Sequence, residues 1–161
     1  HQKAIPMPPP ISDPQSPFDV SIAIAAPAER VWQVISDIDR WAEWTPSIRS
    51  VKRLKDAPFA VGSRVLVRQP KLPPAVWTIS VIEPDRGFSW TSAGPGFRVL
   101  AHHRVAPLDD GGSRARLTIE HEGLLGALLA RLTRDITVRY MAYEAAGLKA
   151  RSEDPGYHTG A

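Results

Sequence analysis

The first patterned segment of the chain alternates apolar residues with small or polar ones. Val20, Ile22 and Ile24 are separated by serine or alanine. Because neighbouring residues of a strand point to opposite faces, this spacing predicts one strand with a single buried face.

Two short helices are predicted to follow this strand. Pro27 suits the first turn of a helix, where its missing N–H costs nothing, and apolar residues at positions 31, 32, 34 and 35 give that helix one buried side. Ser36 or Asp37 can cap a second short helix that runs to Trp44, because Pro46 cannot continue it.

Six further strands are predicted by the same alternation. They are expected at Ile48–Leu54, Arg64–Gln69, Val76–Glu83, Phe88–Ala93, Phe97–Ala106 and Arg114–Glu122. The segments between them are short and rich in proline, glycine and aspartate, which is the composition of turns. Short connections favour antiparallel pairing of consecutive strands, so one antiparallel sheet of seven strands is expected.

After Gly123 the pattern changes from the period of a strand to that of a helix. Apolar and small residues recur at three- and four-residue spacing, at Leu125, Leu128, Leu129, Leu132, Ile136, Tyr140, Tyr143 and Gly147. Charged residues fall largely on the other side, at Arg131, Arg134, Asp135, Arg139 and Glu144. One long helix from Leu124 to Arg151 is predicted, which gives an α+β fold. Such a helix can cover the concave face of a curled sheet.

A chain of 161 residues has room for one ordinary domain. Residues 1 to 17 contain six prolines and no periodic apolar pattern, so they are predicted to be an extended or disordered lead-in. Residues 154 to 161 are predicted to be a flexible tail. The folded domain is therefore expected at residues 18 to 153, as a monomer or a homodimer.

The distribution of charge argues against a nucleic-acid-binding protein. The net charge is +3 and the pI is near 9.5, but the arginines are scattered along the chain. The densest group, Arg131, Arg134 and Arg139, is interrupted by Asp135. A solvated helix face is favoured for this group over a polyanion-binding or membrane-surface patch.

Several classes of protein are excluded by what the sequence lacks. No apolar run approaches the roughly 20 residues that span a bilayer, so an integral membrane protein is not expected. The absence of cysteine excludes disulfides and thiolate metal sites. No signal peptide or transmembrane segment is visible, which favours a cytoplasmic location, but the chain begins with His1, as a tag remnant or a processed end would, so the location stays open. Phosphate-loop and dinucleotide fingerprints are absent, and no cofactor is predicted.

Four stretches of the chain resemble a known superfamily in their order and spacing. They are APAERVWQVISDIDRWAEWTPSI, VGSRVLV, DDGGSRARLTIEHEGLLG and YMAYEAAGLKARSE. With the order of elements, they resemble the START/Bet v 1-like (SRPBCC) superfamily, especially its bacterial polyketide cyclase/dehydrase-like branch, over about Phe18 to Glu153. The resemblance implies a helix-grip fold, in which a curved sheet wraps the C-terminal helix and leaves a cavity between them. It also implies a small hydrophobic ligand, of lipid, polyketide or other aromatic or isoprenoid type.

Two histidines are the main candidates for chemistry. His103 shares a strand face with the apolar residues at 99, 101 and 105, and His121 shares one with those at 115, 117 and 119. His102 would replace His103 only if a bulge shifted the alternation. Imidazoles can act as general acid and base on an enolisable carbonyl, and a tyrosine hydroxyl can stabilise the oxyanion. The predicted catalytic set is His103, His121 and Tyr140.

The predicted ligand-contact residues are mostly aromatic. Trp77 and Trp90 lie on apolar strand faces, and the helical spacing puts Ile136, Tyr140 and Tyr143 on the expected inner side of the long helix. Trp41 and Trp44 could line the mouth of the cavity, or could anchor the short helices against the sheet. His103 and His121 complete this set.

Three functions remain open from the sequence. The favoured one is binding of a small hydrophobic molecule. The second is a polyketide cyclase, aromatase or dehydratase that uses His103, His121 and a tyrosine, and the third is a lipid or quinone carrier or a co-chaperone. No metal site is predicted, because His103 and His121 supply two ligands and no evident third. No serine-hydrolase elbow is present.

Overall fold

The computed structural model describes residues 18–157. Its strands are β1 Phe18–Ile24, β2 Ser50–Arg53, β3 Arg64–Arg68, β4 Ala75–Glu83, β5 Gly87–Gly94, β6 Phe97–Pro107 and β7 Ser113–Glu122. Its helices are α1 Ala28–Ser36, α2 Gly126–Leu132 and α3 Arg134–Glu153, with 3₁₀ helices at Ile38–Glu43 and Leu54–Asp56. The predicted lead-in, residues 1 to 17, lies outside the described residues.

The seven strands form one antiparallel sheet in the order β1-β7-β6-β5-β4-β3-β2. Consecutive strands pair from β2 to β7, and β1 completes the sheet by pairing with β7, where Val20 lies opposite Leu117. The sheet is curved, and α3 packs against β1, β7 and α1. This arrangement is the helix-grip fold that was expected, with two short helices after the first strand.

The segment after β1 fixes one end of the core. Val31, Val34 and Ile35 of α1 are fully buried, as their three- and four-residue spacing predicts. The backbone then tightens into the 3₁₀ helix, and the buried Trp41 donates a hydrogen bond from its indole Nε1 to the carbonyl of Ile35 at 3.0 Å. The ring of Trp41 is thereby held against the sheet.

The predicted single C-terminal helix is wrong in one respect, because it is broken at Thr133. The Thr133 side chain donates a hydrogen bond to the carbonyl of Leu129 at 2.7 Å, and its φ and ψ of −103° and 9° depart from those of a helix. A threonine that bonds back to the preceding turn commonly bends a helix. The result is a short α2 followed by the 20-residue α3.

The alternation in β4 is also interrupted. A bulge between Ile79 and Val81 shifts the pairing with β5. Val81 is therefore exposed although it follows Trp77 and Ile79 at two-residue intervals, and Ile82 packs on the core instead.

The packed part of the chain extends to Tyr157, into the segment predicted as a tail. The Tyr157 ring is buried, and the guanidinium carbons of Arg30 and Arg151 lie 4.9 and 4.2 Å from its centroid. Its hydroxyl donates a hydrogen bond to Asp37 at 3.3 Å. Within residues 18–157, no helix is long and apolar enough to cross a membrane.

Candidate functional site

A cavity of about 70 Å³ lies between the inner face of the sheet and α3. Its walls are mainly aromatic and aliphatic, and include Trp41, Trp77, Trp90, Ile119 and Met141. Three ionisable residues also border it: His103 from β6, Glu144 from α3, and His102, whose side chain bonds Ser89 and Glu120 on the other face of the sheet. An apolar chamber with a few polar groups is the usual composition of a small-molecule site.

His103 lies in a box of aromatic rings. Only 5% of its surface is exposed, and its imidazole stacks on Phe88 with a centroid separation of 4.5 Å and an interplanar angle of 14°. Trp41 and Trp90 meet it edge-on, at centroid distances of 5.1 and 5.7 Å. These contacts leave the imidazole one orientation, with Nε2 directed toward α3.

The two nitrogens of His103 meet two different oxygens. Nδ1 lies 3.4 Å from the carbonyl oxygen of Phe88, and Nε2 lies 3.2 Å from Oε1 of Glu144. Because a carbonyl oxygen only accepts, the first contact places a proton on Nδ1. Nε2 then faces a buried carboxylate oxygen that has no hydrogen-bond partner in the described chain. The pair is therefore suited to exchanging a proton with a molecule in the cavity.

The side chain of His102 projects from the opposite face of the sheet, in line with the strand alternation. Its Nδ1 lies 2.7 Å from the Ser89 hydroxyl, and its Nε2 lies 3.4 Å from Oε2 of Glu120. This Ser–His–Glu arrangement spans β5, β6 and β7. Ser89 is buried within a paired strand, whose backbone N–H groups serve the ladder and offer no oxyanion hole. We interpret the three residues as a structural network.

His121 is distant from His103. Leu117 pairs with His103, and His121 follows Leu117 by four residues along β7, which separates the α-carbons of the two histidines by about 14 Å at the usual strand rise. His121 is half-buried beside the Phe18 ring, with centroids 5.3 Å apart, and burial lowers its pKa. The predicted catalytic pair of histidines therefore does not converge on one reacting atom.

The side of α3 that packs against the sheet is not the side that the helical spacing predicted. The Tyr140 hydroxyl donates a hydrogen bond to the carbonyl of Pro70 in the loop between β3 and β4. Tyr143 is 42% exposed, Ile136 is half-buried, and neither lines the cavity. The buried positions of α3 are instead Met141, Ala145, Leu148 and Ser152.

The tryptophans predicted to contact ligand divide into two groups. Trp41, Trp77 and Trp90 line the cavity, whereas Trp44 lies behind Trp41 at a centroid distance of 5.6 Å. The Nε1 of Trp44 is buried without a hydrogen-bond partner in the described chain. Trp44 also packs against α3, where its carbonyl oxygen lies close to Gly147.

Sequence reasoning missed Glu144, which it placed on the polar side of the helix. Met141, Ala145 and Leu148 recur at four- and three-residue spacing, and Glu144 lies three residues after Met141 on the same side. The stronger apolar row of leucines and tyrosines concealed this weaker pattern. Within residues 18–157, no group of three histidine, aspartate or glutamate side chains could hold a metal ion.

Known proteins share this architecture. A hypothetical protein from Helicobacter pylori is 16% identical, with a TM-score of 0.71 and 95% of this chain and 98% of that chain covered. Ara h 8.0201 is 14% identical, with a TM-score of 0.60 over 83% of this chain and 97% of its own. The aromatase/cyclase BexL, a di-domain protein of the BE-7585A biosynthetic pathway, is 15% identical, with a TM-score of 0.64 over 84% of this chain and 47% of its own.

Sequence comparison identifies the family. A search of curated proteins gave no significant match. The family model described as "Polyketide cyclase / dehydrase and lipid transport" matches residues 17–153, which is most of the chain and the whole of the sheet with its three helices. Together with the helix-grip fold and the cavity between sheet and α3, this match shows that the chain belongs to the polyketide cyclase/dehydrase and lipid transport family.

Proposed function

We propose that the protein binds one small, largely apolar molecule between the sheet and α3, and that His103 and Glu144 hold its polar group. The observation that carries this proposal is the His103–Glu144 contact of 3.2 Å inside a chamber of tryptophan, isoleucine and methionine side chains. Such a chamber favours apolar surface, and one buried polar pair fixes the orientation of a ligand.

The proposed ligand must carry a group that both donates and accepts hydrogen bonds, or a carbonyl oxygen. A carbonyl can accept a hydrogen bond from a protonated Nε2, and a hydroxyl can in addition donate to the carboxylate of Glu144. A purely hydrocarbon ligand would leave Oε1 of Glu144 buried without a hydrogen-bond partner, which costs about 1 to 3 kcal/mol or more for a charged group.

The cavity must enlarge to accept such a molecule. Its volume of about 70 Å³ is smaller than the roughly 300 to 1,000 Å³ of ordinary ligand pockets. Met141 is the wall residue best able to move, because its unbranched side chain has three rotatable bonds. Ligand binding is therefore expected to select an expanded state. The smaller the fraction of free protein in that state, the weaker the observed affinity.

Native mass spectrometry of the purified protein tests for a retained ligand. Binding of any ligand found, or of apolar ketones and phenols, is then measured by calorimetry. His103→Phe and Glu144→Gln are expected to weaken binding by about 10-fold or more, the usual value of a hydrogen bond to a charged group. His102→Phe and Glu120→Gln are matched controls, because they change the same residue types on the opposite face. An empty protein with no saturable binding would refute the proposal.

A second candidate function is catalysis of proton transfer in the same cavity, as a cyclase or dehydratase would require. The observation that favours it is the distance of 3.2 Å between Nε2 of His103 and Oε1 of Glu144 inside the cavity. The pair would take a proton from a carbon next to a carbonyl and return it to a departing hydroxyl, which leaves as water. His103 and Glu144 replace the predicted set here, since Tyr140 bonds Pro70 and His121 is distant.

The two functions separate in one experiment on the Glu144→Gln variant. If the protein is an enzyme, this variant should turn over a β-polyketone substrate at least about 100-fold more slowly, because general acid–base catalysis contributes at least that factor. A binding protein would show no turnover in either form. An unchanged rate in the variant would exclude the proposed role of Glu144.

A further inference from the structure

The segment around α2 exposes several large apolar side chains. Leu124 is 97% exposed, Leu128 52% and Leu132 75%. Leu128 and Leu132 are four residues apart and therefore neighbours on one side of α2, and Leu124 lies two residues before this helix begins. Single exposed leucines are ordinary, but a row of them marks a surface that meets something apolar. We call these three residues the leucine row.

Three arginines accompany the leucine row. Arg131, Arg134 and Arg139 are all exposed, and none has a carboxylate within 4 Å in the described part of the chain. With Asp135 as the one acidic residue among them, they give residues 124–140 a formal charge of +2. Elsewhere on the surface several arginines are paired, as Arg116 is with Asp19. The leucine row is thus apolar and is followed along the chain by net positive charge.

We propose that the leucine row and its arginines dock the protein on an anionic lipid surface. Leucines of an interfacial helix enter the boundary between headgroups and acyl chains, while arginines beside them bind lipid phosphates. The guanidinium group suits this role, since its planar fork donates two parallel hydrogen bonds to one phosphate.

The charge of the surface favours a lipid occupant over a second copy of this chain. A symmetric dimer would bring the same patch against itself and would oppose the uncompensated arginines to one another. Residues 1 to 17 are another conceivable cover, but they carry one lysine and one aspartate and offer no net negative charge. This proposal does not depend on what the cavity binds.

Flotation of the 161-residue chain with vesicles tests the proposal. Binding to vesicles of phosphatidylcholine mixed with phosphatidylserine should exceed binding to phosphatidylcholine alone by about 10-fold or more, and added salt should weaken it. Leu128→Ser combined with Leu132→Ser should abolish binding. Arg131→Gln and Arg134→Gln should each weaken it by about fivefold, the effect expected of one arginine near an anionic surface.

Matched controls lie on a distant part of the surface. Val61→Ser and Arg64→Gln remove an exposed apolar and an exposed basic side chain near β3, and both should leave vesicle binding unchanged. Because the substituted leucines are exposed, their variants should retain the unfolding midpoint of the parent. The proposal is overturned if binding is absent or indifferent to lipid charge. It is also overturned if the leucine variants convert a dimer to a monomer, or if binding requires deletion of residues 1 to 17.

Discussion

Two histidines on the inner face of the same sheet occupy different electrostatic environments. His103 is enclosed by aromatic rings and meets a carboxylate, whereas His121 has an aromatic neighbour, Phe18, and no charged partner in the described structure. An imidazole that meets a carboxylate can share a proton, but one surrounded by apolar groups resists protonation. The two histidines therefore differ in chemical role because their surroundings differ, although the residue type is the same.

The lowered pKa of His121 predicts a loss of stability in mild acid. An unfolded histidine titrates near 6.5, so below this pH the unfolded chain binds a proton that folded His121 resists. The free energy of unfolding must then fall as the pH is lowered through that range. Urea unfolding at about pH 7.5 and about pH 5.5 should show a smaller loss for His121→Gln than for the parent. Equal losses in both proteins would contradict the assignment.

At the scale of elements, the contact between α3 and the 3₁₀ helix depends on one glycine. A methyl group on Gly147 would lie 2.0 Å from the carbonyl oxygen of Trp44, closer than any real contact. Because that oxygen belongs to the backbone, the clash cannot be relieved by a side-chain rotation. The two elements approach as closely as they do only because position 147 has no side chain.

Gly147→Ala is therefore expected to destabilise the protein by about 1 to 3 kcal/mol, the usual cost of overpacking. In an exposed helix the same change would stabilise by about 1 kcal/mol. Ala142→Gly, at an exposed position of α3, measures that propensity in this helix and serves as the control. Denaturant unfolding gives both values, and a stabilised Gly147→Ala variant would rule out the close contact.

The strands could be predicted from the sequence because their alternation is local. His103 was placed on the inner face in the same way, since no bulge interrupts β6. Glu144 could not be placed, because the rotation of α3 depends on the bend at Thr133 and on packing against β1 and α1. Tyr140 and Tyr143 were misplaced for the same reason. Contacts between elements distant in sequence decide such a rotation, and periodicity alone does not record them.

At the scale of the whole molecule, the end of the described chain secures α1 to α3. Tyr157 lies between Arg30 of α1 and Arg151 of α3, and its hydroxyl meets Asp37 at the start of the 3₁₀ helix. The cation–π contacts add to the apolar burial of the ring. We call these contacts of Tyr157 the clasp. They hold α3, which covers the cavity, to the segment that carries Trp41.

A chain that ends at Glu153 is expected to be less stable than one that ends at Tyr157, by about 3 kcal/mol, the lower range for loss of a buried aromatic ring. Tyr157→Ala in the full chain should produce most of this loss, which separates the ring from the rest of the segment. Thermal and denaturant unfolding of the three proteins provides the comparison. A truncated chain as stable as the longer one would show that the clasp contributes nothing.

The packing of tryptophans around the cavity has an optical consequence. The Trp90 ring lies 5.2 Å from that of Trp41 and 5.5 Å from that of Trp77, and all three line the cavity. Indole transitions at such separations couple, so their circular dichroism depends on how the rings are mutually oriented. A molecule that displaces these rings as it enters the cavity changes that coupling. The protein therefore carries an intrinsic, label-free signal for occupancy of its own chamber.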